Sequence, residues 1–86
     1  MDADSQTTTE PPDERELREI IAPLIDARPA DIPGDANLIL LGLSSIDVMR
    51  LVGRWRRARL PVVFEELAAA PTLSGWLAHF DSLRTR

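Results

Sequence analysis

Apolar residues recur along this chain at the three- and four-residue intervals of an α-helix, and no stretch shows the alternation of a half-buried strand. Leu17, Ile20, Ile21, Leu24 and Ile25 form one such stripe, and Leu73, Trp76, Leu77 and Phe80 form another. An all-α fold is the expectation. The chain has 86 residues, enough for one small core and little more. It has no cysteine, so neither a disulfide nor a cysteine-based zinc site staples that core, and the helices must be held by packing alone.

The segments can be placed in order. "MDADSQTTTEPPD" offers no large apolar side chain after Met1, so residues 1–12 are predicted to be a disordered acidic tail and residues 13–86 the folded domain. Asp13 is the natural N-cap of the first helix, with Glu14 and Glu16 favourable in its first turn. Pro23 lies within the stripe, which predicts a bent helix from about Asp13 to Asp26. "ARPADIPGDANLILLGL" reads as a long connection punctuated by Pro29, Pro33, Gly34 and Gly42 and pinned to the core by Leu38, Ile39, Leu40, Leu41 and Leu43. A second helix is expected from Ser44 or Ser45 to about Arg59. Its apolar surface, with Ile46, Met49, Val52 and Gly53 on one side and Val48, Leu51 and Trp55 on another, is wider than one stripe. "VVFEELAAA" suits a short third helix with Phe64 and Leu67 facing inward, and Thr72 after Pro71 caps the last. The expected architecture is a small four-helix bundle with a long loop between helices 1 and 2.

Candidate catalytic groups are few. All ten basic residues are arginines, which removes lysine as a nucleophile, and the single histidine, His79, falls in the last helix. A catalytic serine needs a base within hydrogen-bond reach and a third group to orient that base. Neither accompanies the adjacent serines of "GLSSIDVMRL", residues 42–51, so a hydrolase is not expected. One serine is expected to cap the second helix. A serine in that position also stands at the positive end of the helix dipole, where a phosphate joined to its oxygen is well placed. Such a hydroxyl needs no activation from this chain if an external enzyme delivers the phosphoryl group.

The stretch from Asn37 to Phe80 resembles the carrier domains of nonribosomal peptide synthesis, and within them the aryl carrier proteins of siderophore assembly lines. The pattern N-L-x-x-x-G-L-D-S-[IV]-x-x-M is matched by Asn37, Leu38, Gly42, Leu43, Ser45, Ile46 and Met49. It is followed by R-W-R-[RK] at residues 54–57, F-x-x-L from Phe64 to Leu67, and P-T-[IL]-x-x-W from Pro71 to Trp76. "LREIIAPLIDA" is similar to the first helix of that family, so the resemblance covers residues 15–80. It implies the four-helix fold of acyl and peptidyl carriers. It implies that Ser45 receives 4′-phosphopantetheine from coenzyme A, delivered by a phosphopantetheinyl transferase with magnesium. An adenylating enzyme would then load an aryl or aminoacyl group as a thioester, and a condensation domain or other acyl-accepting enzyme would take it onward. The chain would be a non-catalytic carrier in secondary-metabolite biosynthesis. Where the family has aspartate before the modified serine, this sequence has Ser44, which leaves two candidate hydroxyls. Ser45 is preferred because Gly42, Leu43, Ile46 and Met49 keep their register around it, and Asp47 is the nearest acid.

Charge refines the partner expectation. Residues 1–35 hold ten acids against three arginines, whereas residues 36–86 hold four acids against seven. The second helix sets Asp47 against Arg50, Arg54, Arg56, Arg57 and Arg59, so partners are expected to be neutral or acidic at the contact. Leu43, Ser44, Ile46, Met49, Arg50 and Phe64 are the candidate docking residues around Ser45, and Trp55 and Trp76 are expected in the core. The chain is acidic overall and no recognition motif surrounds the arginines, so nucleic acid is not an expected partner. No run is apolar enough to span a bilayer, and the polar, acidic start is unlike a secretory signal. A cytoplasmic monomer, free-standing rather than excised from a larger synthetase, is the expectation. The competing reading is a helical interaction module with the carrier fold that is not phosphopantetheinylated, for which Ser44 in the aspartate position is the supporting feature.

Overall fold

The structure, a computed structural model, describes residues 11–84. The tail expected over residues 1–12 lies outside them except for Pro11 and Pro12, of which Pro12 is buried. Four α-helices follow: α1 (Glu14–Ile21), α2 (Ser45–Arg57), α3 (Phe64–Ala69) and α4 (Leu73–Arg84), with no strand among the described residues. The all-α expectation holds, as does the short third helix.

α1 opens on a capping box in which the Asp13 carboxylate accepts the Glu16 amide at 2.8 Å and the Glu16 carboxylate accepts the Asp13 amide at 3.0 Å. The bent helix expected to reach Asp26 is shorter. Its α-helical part stops at Ile21, and Ala22–Leu24 tighten into a 3-10 turn. Pro23 is the cause: it has no N–H for the carbonyl of Glu19, and its ring crowds that carbonyl. Asp26 then adopts a φ of 56°, which reverses the chain as the Ala27 amide reaches the Ala22 carbonyl at 3.0 Å.

The connection from residue 25 to 44 is anchored at fewer points than its apolar content implies. Ile32, Leu38 and Leu43 are buried, but Ile39, Leu40 and Leu41 face outward, Leu40 at 84% exposure. Polar bonds supply the remaining anchors. Leu38 N–H donates to the Pro71 carbonyl at 2.7 Å, the Ser74 amide and hydroxyl both donate to the Gly34 carbonyl at 2.9 Å, and the Arg18 guanidinium joins Glu14 to the Ile32 carbonyl. Both ends of the loop are thereby fastened to α1 and to the start of α4.

The core is aromatic at its centre. Trp55 of α2 meets Trp76 and Phe80 of α4 edge to face, with ring centroids 6.1 and 5.0 Å apart. Trp76 is fully buried and still satisfies its indole N–H, which donates to the Leu67 carbonyl of α3 at 3.0 Å. Both tryptophans are core residues, as expected. The α2–α3 linker is fixed at neighbouring residues: Arg56 Nε donates to the Val62 carbonyl at 3.0 Å, and the buried His79 Nε2 accepts the Val63 amide at 3.1 Å.

α4 starts where Thr72 Oγ1 accepts the Gly75 amide at 2.9 Å. Gly75 is a point of close approach, since a Cβ there would stand 2.6 Å from the Ala70 carbonyl oxygen. Gly75→Ala is therefore expected to lower unfolding free energy by about 1–3 kcal/mol through overpacking of the α3–α4 junction. Urea denaturation followed by tryptophan fluorescence measures it; an unchanged midpoint would contradict the close approach.

Candidate functional site

α2 begins at the end of a turn. Gly42 has a φ of 118°, a region open to glycine at little cost, and the chain leaves it with Leu43 dropping into the core at 1% exposure. Leu43 is thereby corrected from docking residue to core residue: a side chain buried in the apolar cluster presents nothing to a partner.

Ser44 follows in extended conformation and is the N-cap of α2. Its Oγ accepts the Asp47 amide at 3.0 Å, while the Asp47 carboxylate accepts the Ser44 amide at 3.1 Å. This exchange is a second capping box, with aspartate in the place more often taken by glutamate. The S-x-x-D spacing was available in the sequence and would have assigned the cap to Ser44 outright. The Asp47 carboxyl is held below its ordinary value of 3.8, first by the Ser44 backbone N–H and then by the Ser44 side chain, with Arg50 adding to the effect and burial opposing it.

The two serines therefore part in role. Ser44 Oγ is engaged in the cap. Ser45 is the first helical residue, exposed, with no hydrogen bond to its hydroxyl among the described residues. The amide of Asp47 is taken by Ser44 Oγ and that of Val48 by the Ser44 carbonyl at 3.1 Å, which leaves the Ser45 and Ile46 amides as the donors without an acceptor among the described residues. They lie at the positive end of a 13-residue helix, so an anionic group on Ser45 Oγ fits the place the fold provides. Nothing here activates the hydroxyl: His79 is buried in α4 with its Nε2 on the Val63 amide, which assigns that ring to the fold.

Ile46 and Met49 are each 60% exposed and stand on the outer side of α2, with Arg50 also exposed. Phe64 is half-buried against the core. The run Ile39, Leu40 and Leu41, expected on the core, is exposed and brings further apolar surface to the same loop-to-helix junction. Ser45 also opens onto a hollow of about 210 Å3 walled by Ile39, Val48, Phe64, Leu67 and Pro71.

Comparison with known proteins bears on this geometry. The family described as "Phosphopantetheine attachment site" matches residues 15–80. Among curated proteins, the chain is 45% identical over 60 residues to phenyloxazoline synthase MbtB of Mycobacterium tuberculosis (strain ATCC 25618 / H37Rv), covering 70% of this chain and 4% of that one. It is 44% identical over 61 residues to enterobactin synthase component B of Escherichia coli (strain K12), covering 70% and 21%, and 42% identical over 60 residues to isochorismatase of Bacillus subtilis (strain 168), covering 70% and 19%. The chain thus spans a small part of these relatives. No solved structure matches it.

Two outcomes test the cap. Ser44→Ala is expected to cost about 1 kcal/mol of stability, the usual value of an N-cap, with no loss of the Ser45 hydroxyl. A carboxyl whose folded value is depressed stabilises fully above its ordinary value and loses that contribution as pH falls through the folded one. Wild type should therefore exceed Asp47→Asn in stability by a constant amount above about pH 5, and the gap should close in stronger acid. A gap independent of pH, read from denaturation curves across that range, would contradict the box.

Proposed function

The chain belongs to the phosphopantetheine attachment family, whose members carry 4′-phosphopantetheine covalently, and from that premise we propose that Ser45 is the attachment residue of an aryl-type carrier. The observation that carries the reading is the division of labour between the serines: the cap occupies Ser44, and the exposed hydroxyl of Ser45 stands beside two free amides at the head of α2. When bound, the prosthetic group supplies a flexible arm ending in a thiol that holds an acyl group as a thioester. The Ser45 oxygen attacks the phosphorus of coenzyme A that bears the pantetheine, the pyrophosphate bond breaks, and adenosine bisphosphate leaves. The transferase takes the serine proton, because no base among the described residues is hydrogen-bonded to the Ser45 hydroxyl. The Ser45 and Ile46 amides are the groups that would hold its phosphate.

In this family the carrier domain is not itself catalytic and serves partner enzymes. For this chain we assign, as partners, a phosphopantetheinyl transferase, an adenylating enzyme and a condensation domain or other acyl-accepting enzyme, in the cytoplasm. No helix among the described residues is long and apolar enough to cross a membrane. The relatives' names, a phenyloxazoline synthase and an enterobactin synthase component, support an aryl load and a siderophore-like product. Ile46 and Met49 beside Arg50 supply the docking surface, apolar anchors next to a cation that selects neutral or acidic partner rims. The absence of the family's aspartate at position 44 has a structural account, since serine performs the capping role. The reading as an unmodified interaction module therefore has no observation in its favour.

Incubation with coenzyme A, magnesium and a broad-specificity phosphopantetheinyl transferase is expected to add one phosphopantetheine by intact mass. Ser45→Ala should abolish the gain and Ser44→Ala should retain it. Failure to modify the wild type while a control carrier is modified would overturn the assignment. Ile46→Glu and Met49→Glu are each expected to lower the transferase's kcat/KM about tenfold, the equivalent of one interface residue worth roughly 1.4 kcal/mol. An unchanged value in both would remove this face of α2 from the docking surface.

A further inference from the structure

One peptide group in this molecule is held from both sides. The Val62 carbonyl and the Val63 N–H belong to the same amide plane. Arg56 Nε of α2 donates to that carbonyl at 3.0 Å, and His79 Nε2 of α4 accepts that N–H at 3.1 Å. An amide nitrogen only donates, so Nε2 carries the lone pair and the imidazole is neutral, with its proton on Nδ1. The cation on the carbonyl side polarises the amide and strengthens its N–H as a donor to the ring.

The clamped peptide is the one from which α3 starts. Val63 is the N-cap of that helix, no side chain caps it, and it is six residues long. Leu67 is its buried residue, further fixed by the Trp76 indole on its carbonyl. Phe64, the first residue after the clamp, is half-buried and walls the hollow that Ser45 opens onto. A change at the clamp therefore reaches the surface beside Ser45 through one residue.

His79 is the titratable side chain that carrier chemistry leaves unused, and it is only 9% exposed. A proton on Nε2 would set an N–H against the Val63 N–H and turn the acceptor into a second donor. No anion is bonded to the ring to compensate. Asp81 and Arg84 of α4 and Glu65 and Glu66 of α3 are exposed, and none of them is hydrogen-bonded to it. On α1, which packs on α4, Glu14 is paired with Arg18 and Glu19 with Arg15, while Asp13 and Glu16 accept each other's amides. α2 brings Arg56, a cation on the other side of the same peptide.

We propose that His79 is a proton-operated latch on α3. Neutral, it holds the Val62–Val63 peptide and with it the start of the helix. Protonated, it releases the Val63 N–H, and the first turn of α3, Phe64 included, loosens while α1 and the aromatic centre stay folded. Histidine changes charge between about pH 5 and 8, so the chain presents a fixed α3 at the upper end of that range and a loosened one at the lower end. The latch stands on the fold alone and does not depend on which serine is modified.

An amide NMR titration of the full chain from about pH 8 to about pH 5 tests it. The Val63 amide and the His79 ring protons are expected to move together with one midpoint, and the Phe64 amide with them, while Leu17 and Ile21 of α1 keep their positions. Below that midpoint the hydrogen-exchange protection of the Val63 amide should fall about tenfold, as for the loss of one hydrogen bond. His79→Gln supplies a side-chain acceptor that does not titrate, so it should keep Val63 protected and remove the pH dependence. A Val63 amide indifferent to the ring's titration or a ring that takes no proton while the chain stays folded would overturn the latch. So would a loss of protection that spreads to α1, or a pH dependence that survives in His79→Gln.

Discussion

Two hydrogen bonds between Ser44 and Asp47 decide what the rest of this molecule can do. They set the first residue of α2, and in doing so they place one serine inside the fold's own bonding and the next one outside it. A cap is an ordinary device for satisfying the donors at the head of a helix. Here it also sorts two chemically identical side chains into different roles. The residues before it have a matching division: Gly42 turns the chain, Leu43 plugs the core, and the chain is exposed again at Ser44.

A core this small has to be economical, because no disulfide holds it and the connection between α1 and α2 is long. The structure meets that with three apolar pegs, Ile32, Leu38 and Leu43, and with backbone carbonyls used as fastening points for Arg18, Ser74 and Trp76. The edge-to-face cluster of Trp55, Trp76 and Phe80 joins α2 to α4 at the centre. α3 is left as a short element resting on its neighbours through Leu67 and half-buried Phe64. Two separate hollows, of about 300 and 210 Å3, each have Phe64 in their wall.

Periodicity made the longer helices legible, since they bury stripes whose spacing is visible in the sequence: Leu17 and Ile21 in α1, Leu73, Trp76 and Phe80 in α4. The end of α1 was misjudged because the stripe runs on through Pro23, and apolar spacing does not register the lost donor that ends the α-helical hydrogen bonding. The run from Leu38 to Leu41 was misjudged for a different reason. In an irregular loop there is no period to say which apolar side chain faces inward, and only Leu38 does. The same limit applied to Ser44 and Ser45, where either could cap until the partner three residues on was considered. Ile46 and Met49, whose sequence fits core and surface equally, are outside because Val48, Leu51, Val52 and Trp55 already fill the inner face. The hollow lined by Met49, Val52, Gly53 and Phe64 was not legible at all, as it depends on how α3 sits beside α2.

The central claim is that Ser45, and not its capping neighbour, carries the prosthetic group. Fragment-ion mapping of a proteolytic peptide that contains both serines, taken from protein modified with coenzyme A, tests it most directly. The account predicts fragments that place the phosphopantetheine on Ser45 with Ser44 unmodified. Fragments that place it on Ser44 would contradict the account, because the hydroxyl that holds the head of α2 would then be the one given to chemistry.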